Sequence, residues 1–185
     1  MEIAAKSILK MGNPLLREIA VLIEYPQSNE IRTLVDVMHV SMEAAGGVGL
    51  AAPQIGVPLR LIIFNVPGER LAKEDGVARS EIPQTILINP EIEYLGDEKA
   101  LGWEGCLSVP GLRGLVPRHT HIRYKGLDLQ GNLIERDAVG FHARVVQHEF
   151  DHLDGILYPE RMDDLTKLVY ESEMQAFTDD KCAPE

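Results

Sequence analysis

Cysteine is nearly absent from this chain of 185 residues. The two present, Cys106 and Cys182, are too few for a disulfide framework. Basic residues are also scarce, 18 Lys and Arg against 29 Asp and Glu, and the net charge of −11 argues against a broad nucleic-acid footprint, DNA included. No apolar run approaches the roughly 20 residues needed to span a membrane. The opening MEIAAKSILKMG has neither the apolar stretch of a signal peptide nor the Arg/Ser-rich character of a transit peptide. Repeats and low-complexity tracts are missing too. These absences lead us to expect a cytoplasmic protein with no membrane partner. What is present is ordinary globular composition, 45% apolar and 25% charged, in a length that suits one domain over 1–185.

Local patterns predict the elements. Asn13-Pro14 reads as the cap and first residue of a short helix, and Ser28 as the cap of a longer one. In the latter, Ile31, Leu34, Val35, Met38 and Met42 form a helical stripe that stops at Gly46-Gly47. The run LRLIIF at 59–64 reads as a buried strand. Residues 67–83 are polar and read as a surface loop. Two short strands are expected around Asn89-Pro90, and a hairpin around Gln130-Gly131-Asn132. Phe141 to Leu153 is helical in period and stops at Gly155. A last amphipathic helix is expected from Asp163-Asp164 to about Phe177, with Leu165, Leu168 and Val169 inward and a frayed tail from about 178. Strands come in runs before the main helix, which predicts an α+β fold with antiparallel sheets.

The strongest chemical signal is His148-Glu149-Phe150-Asp151-His152. Residues four apart share a helix face, so both imidazoles can reach one metal ion. Glu149, one step round, is placed to work on a metal-bound water. The flanking apolar residues cover two sides of this helix. Buried histidines then need polar partners or a metal. A catalytic ion requires a third protein ligand. Two candidates stand open at this point: Glu171 or Glu173 downstream, as in a zinc peptidase, and Cys106 in Trp103-Glu104-Gly105-Cys106-Leu107-Ser108. Cys182 lies in a polar tail and reads as a bystander.

Three segments appear in order: GVGLAAPQ at 47–54, EGCLS at 104–108 and QHEFDHLDG at 147–155. Together they resemble the three motifs of the peptide deformylase family, and the resemblance covers most of the chain. It implies a single α+β domain with antiparallel sheets around a central HExxH helix. It also implies removal of the formyl group from the N-terminal formyl-methionine of new polypeptides. The metal would be held by Cys106, His148 and His152. The ion expected is Fe²⁺, with Zn²⁺, Ni²⁺ or Co²⁺ as replacements.

On that resemblance, water activated by the ion attacks the formyl carbon, and Glu149 acts as general base and then acid. The Gln54 side-chain amide and the Leu107 N–H stabilise the oxyanion. The peptide is expected to bind as an added strand on Val48, Gly49 and Gly105. Phe141, Val145 and His148 would line the slot for the methionine. Arg144, on the same helix face, is expected either at the mouth of the slot with a wet head or in a structural ion pair. Glu104 is expected to pair with Arg113 or Arg118 behind the Cys106 loop. His39, His119, His121 and His142 read as surface or loop residues. Residues 161–185 carry three basic side chains against seven acidic ones. Ribosome contact is therefore expected to be transient at most.

Overall fold

The computed structural model describes residues 3–69, 71 and 81–180. Cys182 and most of the expected 178–185 tail fall outside that range, as does most of the 67–83 loop. Two antiparallel sheets organise the chain. The larger has five strands in the order β1 (Gly49–Ala51), β2 (Leu61–Val66), β3 (Ile82–Tyr94), β6 (His121–Leu127) and β7 (Leu133–Val139). The smaller has three, β4 (Lys99–Cys106), β5 (Val109–His119) and β8 (Leu168–Tyr170). The α+β expectation holds.

The apolar run at 59–64 becomes β2 because both faces of the strand are covered. Ile62 and Phe64 point into a core built with helix α2 (Gly140–Leu153), where Val145, Val146 and Leu153 meet Leu87, Ile122 and Tyr124. Leu61 and Ile63 point the other way, into a core built with α1 (Asn29–Ala44), where Ile31, Val35, Met38 and Met42 meet Leu50 and Ile88. Alternation puts the side chains of Leu61 to Phe64 into different cores in turn, so this run is apolar on both faces, and the first polar residue, Asn65, comes where burial is incomplete. The Ser28 hydroxyl accepts from Ile31 N–H at the start of α1, and Asn13 caps a short 3₁₀ turn at Pro14–Arg17. Among the described residues no helix is long and apolar enough to cross a membrane.

Two expectations need correction. The two short strands around Asn89-Pro90 are one strand with a register shift between Ile88 and Glu91. Asn89 there adopts φ 52°, and its side chain bonds both the N–H and the carbonyl of Ile23, at 2.9 Å each. A local kink anchored by an asparagine therefore replaces a break. The last helix is also not continuous from Asp163. A 3₁₀ turn at Leu165–Lys167, strand β8 and a second 3₁₀ turn at Glu171–Glu173 precede a short α3 (Met174–Asp180). Leu168-Val169-Tyr170 is a β-prone run, and pairing with Leu112–Gly114 on β5 outweighs the weak helical period; Leu165 ends up exposed.

Candidate metal centre and active site

β4 ends on Cys106, and the turn Leu107-Ser108 carries the chain into β5. α2 brings His148 and His152 up to this turn on one face. One donor atom from each of Cys106, His148 and His152 lies within 4.8 Å of the others. Cys106 Sγ is 3.3 Å from His152 Nε2, and the imidazole rings stand nearly perpendicular with centroids 5.1 Å apart. Among the described residues this is the one group of three or more such donors brought together. One thiolate and two imidazoles suit a divalent late first-row ion, and three protein donors leave a position open for chemistry. Burial alone would raise the Cys106 thiol, but His152 and His148 beside it pull it well below its ordinary value. The donor set therefore fits a metal.

Glu149 is buried beside this group. Burial pushes its carboxyl up to about 7, against the pull of the two imidazoles. Its Oε2 finds no hydrogen-bond partner among the described residues, which suits a carboxylate completed by water or a ligand. Gly49 explains part of the GVGLAAPQ pattern: a Cβ at that position would collide with the Glu149 carboxylate. Gln54 is almost fully buried, and its amide is oriented from both sides. Oε1 accepts from Ala51 N–H at 2.8 Å, while Nε2 reaches Ser108 Oγ at 3.2 Å and faces Cys106 Sγ at 3.6 Å. We expect Gln54→Ala to lower turnover by about 10²–10³-fold with metal content unchanged, measured as kcat against bound metal.

Behind the ligands lies a buried charge network. His148 Nδ1 bonds Glu104 Oε2 at 2.8 Å, which leaves Nε2 as the outward nitrogen. Arg118 grips Glu104 with two bonds of 2.9 and 3.0 Å and reaches Asp151 at 2.5 Å, so it is Arg118 and not Arg113 that pairs with Glu104. Burial opposes charge on Glu104, yet His148 and Arg118 hold its carboxyl well below the usual range. Arg161 completes the chain on Asp151 at 2.7 Å. Sequence reading missed Asp151 and Arg161; the available signal was a charged residue, Asp151, on a helix apolar on two sides. Tyr158, one of the flanking residues that fit the family resemblance, stacks on the His148 ring.

The cleft in front of these groups measures about 930 Å³. It is lined by Val48, Gly49, Gly105, Phe141, Arg144 and Val145, together with Gln54, Leu107, Cys106, His148 and Glu149. Arg144 does not present a wet head at the mouth. Its guanidinium is buried and donates to Glu104 Oε1 at 2.9 Å and to the carbonyls of Val116, Ala100 and Gly102. Four acceptors draw it under the β4–β5 hairpin, which is the structural ion pair of the two expectations. His142 is also corrected. It is buried against Phe64 and Tyr124, where burial lowers its pKa to about 4 and keeps it neutral. Glu171 goes to Arg113 rather than toward the ligands.

The family model for polypeptide deformylase matches residues 5–168. Peptide deformylase 1 of Bordetella pertussis is 58% identical over 164 residues, 89% of this chain and 91% of that protein. Among solved structures, a class I type b peptide deformylase from Acinetobacter baumannii with Met-Ala-Ser bound is 40% identical and covers 87% of this chain and all of that one, with a TM-score of 0.79. The peptide deformylase of Ehrlichia chaffeensis has the same TM-score at 31% identity, over 96% of this chain and 97% of its own.

Proposed function

This chain belongs to the polypeptide deformylase family, and on that premise we propose that its cleft removes the formyl group from the N-terminal methionine of new polypeptides and releases formate. The observation that carries the reading is the meeting of Cys106, His148 and His152, with Cys106, His148 and the buried Glu149 lining one cleft. The three donors hold a divalent ion, Fe²⁺ in the cell, with Zn²⁺, Ni²⁺ or Co²⁺ able to replace it. Such an ion supplies Lewis acidity toward water and toward the formyl oxygen.

The protein's own groups do the rest. The Glu149 carboxylate takes a proton from the attacking water and later delivers one to the departing amine nitrogen. Burial, which favours its neutral form, suits a carboxyl that takes up a proton and hands it on. Gln54 Nε2 and the Leu107 N–H donate to the formyl oxygen as it gains charge. Ala51 holds the Gln54 amide by its oxygen, so the N–H face is already turned toward Cys106 before substrate arrives. Val48, Gly49 and Gly105 offer main-chain groups to a peptide bound as an added strand. Phe141, Val145 and His148 form the slot for the methionine side chain. Arg144 supports the wall of this slot from behind.

Shape sets the acyl preference. A formyl carbon bears only hydrogen, so a pocket closed around it excludes acetyl and longer acyl groups by clash. We expect metal-loaded protein to release formate from formyl-Met-Ala-Ser, and acetate from acetyl-Met-Ala-Ser about a hundredfold more slowly or not at all. Equal rates, or cleavage of the Met-Ala bond, would overturn the reading. The acidic residues 161–185 suit no basic RNA-binding role, so ribosome contact is transient at most; the substrate, a new polypeptide, makes the cytoplasm the workplace.

A further inference from the structure

The family model stops at Leu168, yet the chain continues and folds back on the cleft. β8 adds to the edge of β5, with Val169 opposite Arg113 and Tyr170 opposite Leu112. The turn that follows places Glu171 on Arg113, whose Nε and Nη2 both bond its Oε1, at 3.2 and 2.6 Å. Arg113 in turn lies over Gly105, where a Cβ would run into its guanidinium. In α3, Phe177 meets the Trp103 ring edge-on, with centroids 5.7 Å apart. Trp103, Gly105, Arg113, Glu171 and Met174 all line the same cleft as Cys106 and His148.

We propose that the segment Glu171 to Phe177 builds the outer wall of the substrate cleft and determines specificity for peptide residues beyond the methionine. The inference rests on the deformylase reading given above. A peptide pairing with Gly105 as an added strand places alternate side chains on opposite sides. The methionine side chain enters the slot of Phe141 and Val145, and later residues pass the wall of Trp103 and Met174. Trp103 and Met174 give that wall its apolar surface, and the Arg113–Glu171 ion pair beside them is already satisfied internally. The class of substrate favoured is therefore a formyl-methionyl peptide with apolar or aromatic residues in the second and third positions.

The test compares KM for formyl-Met-Leu-Phe with KM for formyl-Met-Ala. It uses metal-loaded wild type, a chain lacking residues 171–185, and the full chain carrying Met174→Ala. The deletion keeps β8 intact. We expect the deletion to raise KM for the longer peptide by about fivefold relative to that for the shorter one, and Met174→Ala to give a smaller shift in the same direction. Bound metal should match wild type in both, since Glu171 is not a ligand. An unchanged KM ratio in both variants would overturn the proposal while leaving the deformylase reading intact. If the deletion does not fold, Met174→Ala decides alone. Wild type that releases no formate from either peptide would overturn both.

Discussion

Replacing Cys106 with serine will strip the protein of its metal and its activity together. A serine hydroxyl is not ionised at neutral pH, whereas Cys106 sits between two imidazoles that favour its thiolate. Loss of a direct donor should weaken binding by more than the roughly 10–100-fold that removing an outer hydrogen-bond partner costs. Glu171→Gln is the informative control. A peptidase with a downstream glutamate ligand would lose its ion there and keep it in Cys106→Ser. Here Glu171 is committed to Arg113, so the control should retain full metal content. Elemental analysis of both variants after gel filtration decides the matter, and metal retained by Cys106→Ser at the wild-type level would refute the ligand set.

Glu104→Ala should be the most destabilising substitution near the site. It removes the acceptor shared by His148, Arg118 and Arg144, all buried. Breaking a buried ion pair from one side costs about 3–5 kcal/mol, because the remaining cation stays buried without its partner. At roughly 2–4 °C per kcal/mol for a chain of this size, the melting temperature should drop by about 10 °C. The half-exposed end of the same network sets the contrast. Arg161 reaches Asp151 with a half-exposed side chain, so Arg161→Met should cost no more than about 1 kcal/mol. Thermal melts of the two variants give the comparison. Equal, small shifts would mean that the network around Glu104 contributes little.

The parts of the molecule legible in sequence were those governed by short-range periodicity. HEFDH on a helical pattern placed two histidines on one face, and LRLIIF announced a strand covered on both sides. What was not legible depended on partners distant along the chain. Arg113 and Arg118 are equivalent candidates until the β4–β5 register puts Arg118 under Glu104 and Arg113 beside β8. Arg144 reads as an oddity on a ligand face until the carbonyls of Ala100, Gly102 and Val116 appear above it. His142 looked like a loop residue because nothing local reveals that Phe64 and Tyr124 close over it. The 165–177 stretch has weak helical period, and only the free edge of β5 turns its middle into a strand.

The central claim is that Glu149 moves the proton in a metal-assisted hydrolysis. It is tested most directly by formate release from formyl-Met-Ala-Ser, under anaerobic Fe²⁺ loading, with bound metal quantified in the same samples of wild type and Glu149→Gln. The account predicts rapid release by wild type and a loss of about 10²–10⁴-fold in the variant at equal metal content. Undiminished release by Glu149→Gln, or none from folded, metal-loaded wild type, would contradict it.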